Sequence, residues 1–510
     1  MMHGHEKSDP AVIAAKPTNE TEPTAEEPVE RRAGAEGNAT ATDTRRALDR
    51  ESVAQGLDRI RKAARRDRKA RFTTLLTHVK LPLLREAFYM LKRDAAAGVD
   101  GLTWHAYETD LENRLMDLQD RVHKGGPYHP LPSRRRYIPK PDGRQRPLAV
   151  AALEDKIVQR AVAEVLNAIY EEDFLGFSYG FRPGRSQHDA LDALAVGITS
   201  RRVNRIVDAD IRSFFDTVSQ EWLMRFLEHR VGDKRIIRLI KKWLTAGVLE
   251  DGELTVSEKG TAQGAVISPL LANVYLHYVF DLWAERWRRH EATGEIIIVR
   301  YADDLIVGAE HEADARRFLD QMCQRFEEFA LTLHPDKTRI LEFGRHAATN
   351  RERRGLGKPE TFDFLGFTHI CAKGRNGGFF VKRKSRRARM KAKLKEVKEA
   401  LRRHMHQPVP ELGTWLGQIV RGYFTYHAVP ANTAALAAFR YHVLKLWHRA
   451  LLRRSDQDRT PWARMQQLAA AYLPKPRILH PWPSQRFAVR YPRWEPYAGK
   501  PHVRFCAGGA

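Results

Sequence analysis

The sequence predicts an α+β fold, a sheet layer with helices on one face, followed by an all-α region. Three observations carry this expectation. Between about 134 and 370, apolar runs of strand length alternate with longer stretches at helical spacing. One pair of runs, "IIIVRYADDLIVGAE" (296–310), reads as a tight hairpin. Beyond about 380 the composition shifts to cations and apolar residues at helical spacing.

Taken in order, residues 1–44 are rich in Glu, Thr, Ala, Pro and Gly without apolar periodicity, and are expected to form a disordered tail. Residues 45–133 read as a helical extension. Leu48, Val53, Leu57 and Ile60 recur at helical spacing, and "GVDGLT" (98–103) interrupts as a loop. Residues 134–380 hold the mixed region. "RRRYIPKPDGRQRPLAV" reads as two strands around a Pro-Asp-Gly turn, and "LEDKIVQRAVAEVLNAIYEEDF" as an amphipathic helix. "VNRIVDADIRSFF" is a strand leading into a turn and a helix around "SQEWLMRFLEHRV"; the hairpin and the helix "DARRFLDQMCQRFEEFAL" follow. Residues 381–485 read as a separate helical domain. There Trp415, Leu416, Ile419, Val420, Tyr423 and Phe424 share one helical face, and a further helix carries Phe439, Val443, Leu446 and Trp447. A short basic tail, 486–510, ends the chain as given.

The 510 residues carry 87 Lys and Arg against 63 Asp and Glu, a formal charge of +24. So large an excess, spread along the chain, favours a polyanionic partner, because each cation that neutralises a phosphate releases counterions. Ribosomal or membrane-surface binding are the other readings of such a charge. Cys323, Cys371 and Cys506 form no paired motif, so neither a disulfide framework nor a Cys-rich zinc site is expected, in keeping with a reducing cytoplasm. "TAQGAVISPLLANVYLHYVF" (261–280) has the length of a membrane span, but Gln263, Gly264, Pro269, Asn273 and His277 make it a buried segment instead, and no membrane is expected as a partner.

Asp303 and Asp304 put two like charges at a bend between Ile/Val strands, where Asn-Gly or Asp-Gly is the usual choice. Such a bend needs a counter-charge, and a divalent cation supplies one. Asp210, ending the Ile/Val strand of "RIVDADIRSFFD", offers a third carboxylate. Asp208 on the same strand face and Asp216 past the turn compete with it, Asp216 as a cap of the next helix. Carboxylates on adjacent strands suit hard cations such as Mg²⁺, and a pair of them stabilises both oxygens of an in-line phosphoryl transfer.

These residues and their surroundings resemble the group II intron-encoded reverse transcriptase/maturase family over about 75–490. "RRRYIPKPDGRQRPLAVAALEDKIVQRAV", "GFSYGFRPGRSQHDAL", "VDADIRSFFD", "GTAQGAVISPLLANVYLH", "RYADD", "LHPDKTRILEFG" and "FDFLGF" follow in the family's order. "VRGYFTYHAVPANTAAL" through "LLRRSDQDRTPWARM" resembles its thumb, the maturase or X domain. The resemblance implies a right-hand polymerase: fingers, a ferredoxin-like palm and an all-α thumb.

It also implies roles. Asp210, Asp303 and Asp304 would be catalytic and, with the Ile211 carbonyl, would hold two Mg²⁺ ions. Phe215 would be a steric gate against the ribose 2′-hydroxyl, a core aromatic being the alternative. Lys140 and Arg146 would bind the triphosphate, with Arg144 able to replace either. Gln263 would line the nucleotide site, although Ala262 stands where the family usually has Pro, which loosens the loop. Lys337 would sit near the leaving pyrophosphate, or simply pair with acidic neighbours. Gly366 and Phe367 resemble a primer grip, core packing being the other reading of the phenylalanine. Lys382, Arg383, Lys384, Arg386, Arg387, Arg389 and Lys391, within the cationic run 382–403, would bind structured RNA, since so one-sided a run needs an anionic partner.

The implied activity is RNA-directed DNA synthesis from dNTPs on a DNA primer, by a protein that also binds its intron RNA to assist splicing and mobility. A non-enzymatic maturase and a reverse transcriptase of host defence are the alternatives. No HNH endonuclease segment is visible, and monomer and homodimer both stay open.

Overall fold

The computed structural model describes residues 41–124, 128–139, 145–257, 259–261, 263–454 and 460–490, with backbone alone for 41–48, 139 and 488–490. The strands are β1 (Ser133–Pro139), β2 (Gln145–Val150), β3 (Arg205–Asp210), β4 (Val248–Glu250), β5 (Glu253–Thr255), β6 (Ile296–Tyr301), β7 (Asp304–Ala309), β8 (Arg339–Glu342), β9 (Phe362–Phe364), β10 (Phe367–Lys373) and β11 (Phe379–Ser385). They form three sheets, of order β2-β1-β4-β5, β6-β7-β3-β8 and β11-β10-β9.

The helices that matter below are α1 (Ala41–Arg66), α2 (Leu153–Asp173), α3 (Gln187–Ser200), α4 (Ser268–Leu276), α5 (Glu312–Glu328), α6 (Arg387–Arg403), α7 (Val409–His427), α8 (Thr433–Leu451), α9 (Trp462–Tyr472) and α10 (Pro483–Arg490). Helix α1 begins at Ala41, inside the stretch expected to be disordered; the rest of that tail, 1–40, lies outside the described residues.

The sheet β6-β7-β3-β8 is antiparallel throughout and central. Its helices do not lie on one face, as the element order suggested. Val207, Ala209, Ile298, Leu305 and Val307 pack into a core shared with α2, α4 and α5. Ile206, Ile297, Val299, Ile306 and Leu341 point the other way, into a core shared with α3 and the sheet β11-β10-β9. Burial on both faces is why "IIIV" and "LIV" are continuous apolar runs without polar alternation.

A third core joins α6 to α9, with Leu416, Val420, Phe439, Val443 and Trp447 at its centre. The helical region has its own interior, and the strand and helix that flank it extend across 380 and 485. Strand β11 runs through Ser385, past the composition change at 380, and pairs with β10. Helix α10 spans the expected boundary at 485 and returns to the body, where Phe487 is buried with Val429 and Phe367 in the second core. Among the described residues no helix is long and apolar enough to cross a membrane, and the run 261–280 lies largely in buried α4 and the helical turn after it.

Candidate active site

Strand β3 ends on Asp210 and β7 begins on Asp304, and the antiparallel register sets these two residues directly opposite each other. Asp304 also faces Tyr301 across the hairpin, leaving Ala302 and Asp303 as a two-residue turn. Ala302 takes a φ of +58°, a left-handed conformation that costs an L-residue about 1–2 kcal/mol. Asp210 and Asp304 are both buried. Burial and the neighbouring Asp210 charge push the Asp303 carboxyl up to about 6, with Arg146 and Lys337 pulling the other way.

One counter-charge in this structure is Lys337. Its ammonium donates to an Asp210 carboxylate oxygen at 2.6 Å. The lysine arrives on a loop docked against the end of β3. There the His334 N–H donates to the Asp210 carbonyl at 2.8 Å and the Arg212 N–H to Thr332 at 2.9 Å. Neither of those bonds uses the carbonyl of Ile211, which bridges Leu333 between them.

The competing carboxylates have other places. Asp208 shares the strand face but sits 3.6 Å from the Arg339 guanidinium. Asp216 does not cap the following helix: it lies in the short helix Phe214–Thr217, and the Ser219 hydroxyl caps residues 220–228 by accepting from Trp222 N–H.

Among the described residues no group of three His, Cys, Asp or Glu side chains forms a metal-binding cluster. The donor set nonetheless fits a hard cation. Two facing carboxylates and a third in the turn between their strands are all oxygen donors, and the ammonium on Asp210 marks where positive charge is needed.

Phe215 and Gln263 line one cleft of about 850 Å³, with Phe181, Gly264, Tyr301 and Tyr426, and with Lys156 and Arg160 further along its wall. The loop carrying Gln263 is held on both sides, beyond what Ala262 suggested. Its carbonyl accepts from Ala149 N–H of β2 at 2.7 Å, and Val266 N–H donates to the buried Gln159 side chain at 3.0 Å. Gly264, at φ +111°, packs so closely on the Ala149 carbonyl that an added Cβ would lie 2.8 Å from it. Arg146 stands half-buried on the same strand, whereas Lys140, Arg144 and Ala262 lie outside the described residues.

Other expected contacts change meaning. Phe367 is fully buried and stacks on Tyr426, so its side chain is core. Leu365 and Gly366, both at positive φ, form the turn between β9 and β10, and the space beside Gly366 is filled by the Arg389 guanidinium. Of the proposed RNA contacts, Arg383 is buried against Asp192 at 2.8 Å and Arg386 against Asp363 at 3.0 Å, which removes both from the surface. Lys384, Arg387 and Lys391 remain exposed, and Lys382 and Arg389 half-buried. Self-repulsion in the run is thus relieved partly by the protein's own acids, Glu396 and Glu399 included.

Sequence reasoning passed over Arg300, Asp281 and Asn273, which meet behind the turn. The available signal was an arginine inside an Ile/Val strand that proves buried on both faces.

A buried antiparallel sheet that closes on facing carboxylates beside an aromatic-walled cleft is accompanied by a family match. Residues 138–369 match the family described as reverse transcriptase (RNA-dependent DNA polymerase), which sets the class. Protein YkfC of Escherichia coli is 35% identical over 48% of this chain and 71% of its own length. An uncharacterized 91 kDa protein in the cob intron of Schizosaccharomyces pombe is 27% identical over 71% of this chain and 52% of its own length. The group II intron-encoded protein LtrA of Lactococcus lactis is 34% identical over 43% of this chain and 37% of its own. The chain belongs to the group II intron-encoded reverse transcriptase/maturase family.

Proposed function

We propose that this protein is an RNA-directed DNA polymerase that adds dNTPs to a DNA primer and binds its intron RNA to assist splicing and mobility. In this reading β6-β7-β3-β8, whose strands alternate with helices in ferredoxin-like order, is the palm. The hairpin β1–β2 with the helices before it forms the fingers, and α6 to α9 the thumb.

The observation that carries the proposal is the register that sets Asp210 opposite Asp304, with Asp303 in the adjoining turn and Lys337 on Asp210. Asp210, Asp303, Asp304 and the Ile211 carbonyl would hold two Mg²⁺ ions, which when bound stabilise the attacking and leaving oxygens of the transfer. The rest is work for side chains. Arg146, close enough to Asp303 to oppose the upward shift that burial gives its carboxyl, neutralises charge on the incoming triphosphate. Phe215 and Gln263 line the cleft that would receive sugar and base, and the Phe215 ring would act as the gate against a ribose 2′-hydroxyl. Lys337 exchanges Asp210 for the departing pyrophosphate, where its Nζ can deliver a proton. The names of the intron-encoded relatives and the exposed cations of 384–391 support intron RNA as the partner.

The test is primer extension on an RNA template with Mg²⁺. Asp303→Ala is expected to lower the rate by about 100-fold or more while the protein stays folded. Extension by the variant at the wild-type rate would remove Asp303 from the chemistry, and a wild type that extends no primer would favour an RNA-binding maturase without synthesis.

A further inference from the structure

Arg300 lies on β6, one residue before the Tyr301 that opens the turn, and is fully buried. Its guanidinium is used on every edge. Nε and one terminal nitrogen donate to the two oxygens of Asp281 at 2.7 and 2.6 Å. The other terminal nitrogen donates to the Asn273 side-chain oxygen at 2.9 Å and to the Ala302 carbonyl at 3.1 Å. Asn273 in turn donates to the Gly180 carbonyl at 2.7 Å. The Gly180 backbone also presses on the turn, so closely that a Cβ there would lie 2.2 Å from the Ala302 nitrogen.

Asp281 reaches this position because residues His277–Asp281 form a π-helical turn, which widens the helix after α4. A buried ion pair of this kind is a weak source of net stability, since well-packed apolar residues often do as well. What apolar residues cannot do is donate to the Ala302 carbonyl. That contact falls on a residue at φ +58°, and such a conformation persists only where its surroundings over-determine it.

We propose that Arg300, oriented by Asp281 and Asn273, is a positioning residue: it locks the Ala302–Asp303 turn and so fixes the Asp303 carboxylate for cation binding. The inference rests on the polymerase reading for its catalytic consequence, but not for the geometry it predicts.

The experiment compares wild type, Arg300→Lys and Asn273→Ala. Arg300→Lys retains charge for Asp281 but loses the planar fork that reaches Ala302. Asn273→Ala leaves Arg300 and Asp281 paired and serves if the lysine variant fails to fold. Mn²⁺ binding is followed by electron paramagnetic resonance without nucleic acid, amide exchange across 296–309 by mass spectrometry, and primer extension separately. Both variants are expected to exchange faster at 302–304 and no faster at the far end of the hairpin. Mn²⁺ affinity falls about tenfold in Arg300→Lys, and kcat falls with KM for dNTP unchanged. A folded variant with wild-type exchange and wild-type Mn²⁺ affinity overturns the inference. Wild type that binds Mn²⁺ yet extends no primer overturns the polymerase reading, while the exchange and Mn²⁺ comparisons still decide the role of Arg300.

Discussion

Lys337 and Asp210 are 127 positions apart in the chain and joined by one 2.6 Å ion pair, mostly shielded from solvent. The ammonium and a divalent cation would bring like charges to the same carboxylate, so each weakens the other's hold on it. Lys337→Gln is expected to cost the metal-free protein about 1–3 kcal/mol, because it leaves a buried carboxylate without its partner. The same variant should gain more from Mg²⁺ than wild type does, since ligand binding stabilises the folded state in proportion to affinity. Melting temperatures with and without Mg²⁺ test both statements, and an equal Mg²⁺ response in the two proteins would contradict the mutual weakening. At this scale the sequence was informative where the chemistry was unusual. Adjacent aspartates in an apolar hairpin stood out, whereas the partners of Arg383 and Arg386 did not. Asp192 and Asp363 come from other elements, and composition counts charge without seeing what neutralises it.

Among the elements, the hairpin β6–β7 depends on the segment before α3 as much as on its own strands. Tyr179 N–H donates to the Arg300 carbonyl at 2.8 Å, and Gly180 sits against Ala302. Gly180→Ala should therefore cost about 1–3 kcal/mol through overpacking, with backbone as the obstacle and no flexible side chain to yield. Denaturant unfolding measures it, and a stability equal to wild type would show that the turn can move away. Strand and helix identities were legible from apolar periodicity. The second covered face was not, because β9 to β11 follow in sequence and only their packing shows that they close over the central sheet. On α6 and the strand leading into it, the exposed cations are the ones to test. Reversing Lys384, Arg387 and Lys391 to glutamate should weaken binding to the cognate RNA and flatten its dependence on salt. An unchanged salt slope would place the RNA elsewhere.

Over the whole molecule, burial has left several imidazoles neutral. His369 is pushed down to about 3, first by desolvation and then by the Arg383 charge; His427 is pushed to about 3, and His277 to about 4. In the unfolded chain these groups take a proton near pH 6.5. As pH falls from there towards the folded values, the unfolded state binds protons that the folded state refuses, and stability drops. Each such histidine contributes up to about 1.4 kcal/mol per pH unit. Asp155 and Asp173, raised to about 6 by burial, act in the opposite sense. A difference measurement separates the two. His369→Phe, which keeps the stack on Phe362, should gain on wild type progressively below pH 6.5 and level off near pH 3. Parallel pH profiles would show that His369 is not held neutral.

Asp192 on α3 accepts from Arg383 of β11 and from Arg486 of α10. A single acidic group thus fastens three stretches of chain, one of them the last helix described. Cutting the polypeptide short of Arg486 would do more than delete a peripheral segment. It would take away one of the two cations balancing a sealed carboxylate, so trimming at that end should be felt at the joint between the central sheet and the helical region.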